Sequence, residues 1–335
     1  MTEIEERTSD VYPELFHYTS ADALRNIFKT SCFWATHFSD LNDSSEFSRF
    51  ALKIQKFILP IVRKKLQSIM KNNADLATKI HAAGGLDLAC EHDAHMFSNL
   101  MFQQTFGEEG LKDTFLCSFC YHSPKTYEAE NGLLSQWRGY GSGGGVAIVL
   151  DTRGIEKLME REKGIFDHPV NHIGSISYDD DEKRHEHDEN IRERKLVRPL
   201  FDLFPKILED FYSGIPGFSV PEDLERILTP CIVGTTLLKH HAFHEENEVR
   251  IVVSPVPRDR TSIFYMDRQE RKPIRYRRKG DGEVRYIELF GTGPLPIKRV
   301  IVGPSRIQNV TVEDVTRIIA GTDIKVVRSR TPFRG

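Results

Sequence analysis

The chain has 335 residues, 49 acidic against 46 basic side chains and a formal net charge of -3 at neutral pH. That balance excludes polyanion binding driven by bulk charge, and no apolar run approaches the roughly 20 residues that a membrane-spanning helix needs. Five cysteines at irregular spacing, Cys32, Cys90, Cys117, Cys120 and Cys231, argue against a disulfide framework and for a reducing compartment.

Met1 to Asp10 is acidic and polar and lacks the apolar stretch of a signal peptide. It reads as a disordered lead to a cytoplasmic protein that forms a single domain over residues 1–335. Leu15 to Thr19 reads as a strand, and Ser20 caps a helix over Ala21 to Lys29. Cys32 to Thr36 is a second strand, and His37 to Asp43 a polar loop. Ser44 or Ser45 caps the first of a run of helices to Phe106, with Ile54, Phe57, Ile58, Ile61 and Val62 as one apolar stripe, Pro60 as a kink or boundary and Gly84-Gly85 as a break. Thr114 to Tyr121 alternates as a strand. Leu133 to Tyr140 forms a short helix ending in the glycines of Gly139 to Gly145, and Val146 to Leu150 is a buried strand. A second helical insertion covers about 180–240. Val249 to Val253, Val284 to Leu289, Ile297 to Val302 and Ile324 to Val327 are strands, with a helix from Thr311 to Ala320. Strand-rich ends around helical insertions near 44–106 and 180–240 predict an α+β fold with a mixed, split central sheet.

The most informative stretch is His240 to Val253. In an extended chain Glu246, Glu248 and Arg250 share one face, roughly 7 Å apart in steps of two, and Val249, Ile251 and Val253 share the other. Charges at the entrance to a core are rarely buried unpaired. Either Arg250 holds one glutamate in a salt bridge, or one glutamate is paired and its neighbour is left for chemistry. His17 and Thr19 share a face of the first strand, and Trp34 and Thr36 a face of the second. Histidine donates and accepts near neutral pH, and tryptophan offers a stacking surface.

Other signals are weaker. The glycines of Ser142 to Gly145 precede a strand, so they match neither common nucleotide loop. Cys117-Ser118-Phe119-Cys120 has C-x-x-C spacing without a second pair, and neither His92 with His95 nor the His240, His241 and His244 group matches a zinc signature, so no metal is expected. Arg268, Arg271, Lys272, Arg275, Arg277, Arg278, Lys279 and Arg285 face four acids in a hairpin turning at Gly280-Asp281-Gly282, a local basic excess that suits nucleic acid or a solvated surface.

Four blocks resemble the bacterial and phage family called domain of unknown function 2971: Phe16 to Ser20; Phe33 to Thr36 with Leu41-Asn42-Asp43-Ser44-Ser45-Glu46; Leu134 to Tyr140 through Gly145 to Ile148; and Glu246 to Arg250. The His-x-Thr first strand, aromatic second strand and late Glu-x-Glu also resemble the ADP-ribosyltransferase fold. That resemblance implies an NAD site in which His17 holds a ribose, Trp34 lies against the nicotinamide and Glu248 contacts the ribose beside the scissile bond. Tyr18, Thr19, Thr36, Asn42, Trp137 and Arg250 are then expected around the same nucleotide-type ligand, with Glu246 positioning or deprotonating an acceptor and Arg250 orienting Glu248 or holding a phosphate. The activity implied is NAD-dependent ADP-ribosyl transfer or NAD hydrolysis, in a toxin or phage-defence effector. The alternatives are a nucleic-acid-binding module using Arg268 to Arg285, or a sensor without catalysis. His17, Thr19, Glu246 and Glu248 are expected to face one cleft within about 10–12 Å of one another.

Overall fold

A computed structural model describes residues 7–41, 46–106, 113–141, 145–179, 221–255, 270–280 and 282–332. The first alternating segment forms a strand, Glu14–Ser20 (β1). Ser20 caps the helix Ala21–Thr30 by accepting a hydrogen bond from the Ala23 amide at 3.1 Å. Ser31, in the left-handed region, turns the chain into Cys32–His37 (β2). The later strands are Phe115–Cys120 (β3), Gly145–Asp151 (β4), Val170–Ser175 (β5), Ser177–Asp179 (β6), Leu238–His240 (β7), Glu248–Ser254 (β8), Arg275–Lys279 (β9), Gly282–Phe290 (β10), Ile297–Val302 (β11) and Lys325–Arg328 (β12).

Ten strands make one sheet in the order β12-β11-β4-β1-β3-β2-β10-β9, with β8 also on β3 and β5 on β8, while β6 and β7 pair separately. β11 and β12 run parallel, and the other pairs of the large sheet are antiparallel. The fold is α+β with a mixed sheet. β3 carries two neighbours along one edge: β1 meets it at Cys120, and β2 meets it at Leu116 and Phe115. Between those points β1 and β2 diverge, and the sheet is split beside Cys117 to Phe119.

Register assigns the faces. Leu15, Phe33, Phe115, Cys117, Phe119, Ile148, Val249 and Ile251 form the main core on one face. Phe16, Tyr18, Cys120, Trp137 and Val149 cluster on the other. The first helical insertion, Glu46–Asn72, Ala74–Ala82 and Leu86–Phe106, builds its own core. Phe50, Ile54, Ile58, Val62 and Leu66 recur every four residues along its first helix and meet Cys90, Ala94 and Phe97.

Several boundaries differ from expectation. The first long helix runs through Pro60, so proline does not end it there. Residues 8–10 belong to a short helix, Thr8–Val11, with Ser9 bonded to Glu156, and are not a disordered lead; residues 1–6 lie outside the described residues. Of the second insertion, 180–220 lies outside the described residues; Pro221–Thr236 is helical, but Lys239 sits on a strand. The helix assigned to Thr311 starts earlier, at Gln308, and Thr311 back-bonds to Ile307 inside it. The helix Thr152–Lys163, capped by Asp151, and the strand β5 were not anticipated.

Candidate functional site

The split between β1 and β2 opens into a cleft of about 740 Å³. Its walls include His17, Tyr18 and Thr19 of β1, Trp34 and Thr36 of β2, Ser118 of β3, Glu248 and Arg250 of β8, and Lys239 and Glu246 from the segment before β8. A space of this size accommodates a nucleotide.

The expected single row of Glu246, Glu248 and Arg250 is not what the chain forms. His241–Glu246 is a turn of 3-10 helix, and Asn247 adopts a left-handed conformation (φ 40°), so the strand starts at Glu248. Glu246 reaches the site from that turn and meets Glu248 through a shared cation. Lys239 Nζ donates to Glu246 Oε2 at 2.8 Å and to Glu248 Oε2 at 2.9 Å. Arg250 Nε donates to Glu248 Oε1 at 2.6 Å, and its Nη1 donates to the Thr236 carbonyl at 2.7 Å. Two carboxylates and two cations thus form one set with no net charge. Arg250 orients Glu248, and Glu248, Arg250 and Lys239 are all buried.

Burial alone would raise the Glu248 pKa. Arg250 and Lys239 outweigh it and hold the carboxyl at about 2, so it stays ionised at neutral pH. The same two glutamates overcome the burial of Lys239 and raise its pKa.

His17 and Thr19 lie on the opposite face of the sheet from Glu248. His17 is paired with Ile148, on the main-core face, whereas Phe16 matches Cys120 and Cys120 matches Glu248 on the other. The residues expected to face one cleft therefore reach it from opposite faces of the sheet. The cleft still includes both because it passes through the split. Burial lowers the His17 pKa, which leaves the ring neutral at pH 7. Nδ1 lies 3.2 Å from the Ser118 carbonyl on the exposed edge of β3. A carbonyl only accepts, so Nδ1 carries the proton and Nε2 the lone pair.

Trp34 is 41% exposed on the cleft wall, with the Tyr286 ring 4.6 Å away and the Arg277 guanidinium 5.5 Å from its ring centre. Arg277 also donates to Thr36 Oγ1 at 3.4 Å. Tyr18 forms part of the wall, but its hydroxyl bonds His122 Nε2 at 2.7 Å and accepts from the Leu133 amide at 2.8 Å. Trp137 does not reach the cleft: it is 1% exposed, its Nε1 donates to the Asn131 carbonyl, and its ring lies edge-on to Tyr18. Asn42 lies outside the described residues, as do Gly143 and Gly144 of the glycine run. Cys117 and Cys120 point to opposite faces of β3 and cannot grip one ion together.

Lys239 is the main site residue that the sequence reading missed. Its signal was present: it is the first charge after the uncharged run Cys231 to Leu238. The exposed rings of Tyr140 and Phe243 on the cleft wall were missed as well.

The span from Gln136 to Ile251 holds Lys239, Glu246, Glu248 and Arg250, and a family model described as "Protein of unknown function (DUF2971)" matches residues 136–251. The chain resembles that family. The match covers about a third of the chain and includes the Leu134 to Tyr140 block from Gln136 onward, while the blocks at Phe16 to Ser20 and Phe33 to Glu46 lie outside it. No curated protein matches the chain, and no solved structure does. None of the described helices is long and apolar enough to cross a membrane.

Proposed function

We propose that the protein binds NAD in the split of the sheet and cleaves its nicotinamide–ribose bond, passing ADP-ribose to an acceptor or to water. The observation that carries this reading is Glu248, a buried carboxylate held ionised in a nucleotide-sized cleft with exposed aromatic rings on its walls.

Heterolysis sends the bonding pair to the nicotinamide nitrogen and leaves positive charge on the ribose. Glu248 Oε1 accepts from Arg250 Nε at 2.6 Å, Oε2 accepts from Lys239 at 2.9 Å and from Arg250 Nη2 at 3.4 Å, and Ser118 also hydrogen-bonds the carboxylate, so a ribose hydroxyl takes the place of one of the weaker of these partners. A carboxylate fixed by two partners needs little reorganisation as the charge develops. With a pKa of about 2 it cannot act as a general acid at neutral pH. Glu246, less buried than Glu248, takes the proton of the attacking acceptor. His17 accepts a hydroxyl proton at Nε2, Trp34 stacks a ring, and Arg277 receives a phosphate. Arg250 orients Glu248 and does not hold a phosphate. The resemblance stated above is the support for a toxin or phage-defence setting.

The test is incubation of the full chain with NAD, with mass spectrometry for nicotinamide and ADP-ribose. Release above the buffer rate supports the reading, and its absence at micromolar protein rejects it.

The nucleic-acid reading has one favourable observation: β9 is an edge strand carrying Arg275, Arg277 and Arg278, with Tyr276 62% exposed. Three described cations of the basic stretch are paired with carboxylates: Lys272 with Glu162, Arg275 with Glu288 and Arg285 with Asp40. Arg268 lies outside the described residues. Salt-dependent DNA or RNA binding lost on replacing Arg277 and Arg278 with alanine would favour this second reading.

A further inference from the structure

On the Tyr18 face of the sheet, which is also the Glu248 face, a second groove of about 470 Å³ runs between β1, the loop after β3 and the chain's last strand. Five cations line it: Lys125, Lys298, Arg299, Arg328 and Arg330. Its two acids are Glu14 and Glu130. Glu14 is engaged by Lys298 at 2.6 Å and Arg299 at 2.8 Å, and Glu130 by Arg330 at 3.3 Å. Lys125 and Arg328 have no carboxylate partner among the described residues. In a chain with a net charge of -3, a concave surface with three cations in excess is a local anion trap.

The backbone adds an independent observation. Ser123 to Thr126 is a β-turn closed by the Thr126 amide on the Ser123 carbonyl, with Pro124 at its second position. Lys125 takes the third position with φ 67°. This is the type II arrangement, in which glycine is favoured there because a Cβ is strained at positive φ. The chain places a lysine in a glycine slot, and that lysine lines the groove. A non-glycine residue in this conformation is held there by its surroundings, as Ser31 and Phe290 also are in this chain.

We infer that this groove is a second binding site, separate from the cleft, for a small phosphorylated ligand whose phosphate groups lie between Lys125 and Arg328. Guanidinium and ammonium groups in one concave wall match phosphate oxygens by charge and by geometry. The inference does not rest on the reading of the cleft. The two cavities do share a wall, because Tyr18 lines one, His122 lines the other, and the two are hydrogen-bonded.

The test is isothermal titration of the full chain with tripolyphosphate and with a nucleoside triphosphate, at low and at physiological salt. Wild type is expected to bind one equivalent at both. Lys125→Gly removes the charge and relieves the turn, so it is expected to bind at least tenfold more weakly while melting at the same or a higher temperature. Arg328→Gln is expected to weaken binding similarly. Lys79→Gln, on the helix Ala74–Ala82 of the first helical insertion and lining neither cavity, is expected to bind as wild type does. The inference is overturned by an absence of saturable binding, by equal loss in Lys79→Gln, or by a Lys125→Gly variant that melts lower and binds normally. NAD turnover that fails while tripolyphosphate still binds would reject the cleft reading and leave this one standing.

Discussion

Replacing Glu248 with glutamine keeps the side-chain shape and removes one charge from the largely buried set of four. Lys239 keeps its ion pair with Glu246, while the Glu248 pairs with Lys239 and Arg250 are both lost. An ordinary glutamate titrates near 4.5 and Glu248 at about 2. At about 1.4 kcal/mol per pH unit, that difference corresponds to roughly 3 kcal/mol of stability. The size agrees with the roughly 3–5 kcal/mol lost when one partner of a buried pair is removed. The sign follows from the depressed pKa: the contribution is complete above pH 4.5 and disappears as the pH falls toward 2. Urea unfolding at pH 7 should therefore show the variant roughly 3 kcal/mol less stable, a large share of a typical 5–15 kcal/mol. The difference should shrink as both proteins are taken down to pH 2.5. On the catalytic reading, nicotinamide release measured below both melting temperatures should also fall by on the order of a hundredfold or more. A variant within about 0.5 kcal/mol of wild type at pH 7 would refute the ion-pair reasoning. Full turnover in a folded variant would refute the catalytic role.

Two further substitutions separate the cleft from the core. Trp34→Ala should raise the KM for NAD about tenfold with little change in melting temperature, since the ring is already 41% exposed; unchanged kinetics would remove Trp34 from the site. Gly132→Ala should destabilise by about 2 kcal/mol or more in urea unfolding, because Gly132 has φ 76° and an added Cβ would lie 2.4 Å from Trp137 Cζ2; a neutral result would mean that the Trp137 packing is looser than described.

Local signals carried much of the fold. β1, β2 and β11 announce themselves by β-branched and aromatic residues, Ser20 caps its helix, and the hairpin turn near Gly280 joins β9 to β10. The site was legible as residue types but not as an arrangement. Which face His17 shares depends on Phe16 meeting Cys120 and Cys120 meeting Glu248, pairings between segments more than 100 residues apart. A strand's own alternation cannot supply that parity. Period-two counting failed at Glu246 because Asn247 reverses the chain in a left-handed turn, a conformation asparagine tolerates. Trp137 was expected around the ligand, beside a glycine run. Its neighbours Gly132, Gly141 and Gly303 instead make room for it in the core. The helix Thr152–Lys163 had a readable cap in Asp151 and an apolar face of Ile155, Leu158 and Met159.

The most direct measurement is a crystal structure of the protein soaked with NAD. The account predicts the nicotinamide riboside in the split between β1 and β2, a ribose hydroxyl within about 2.6–3.2 Å of the Glu248 carboxylate and a ring against Trp34. Density confined to the groove beside Lys125, or a dinucleotide whose ribose lies away from Glu248, would contradict it.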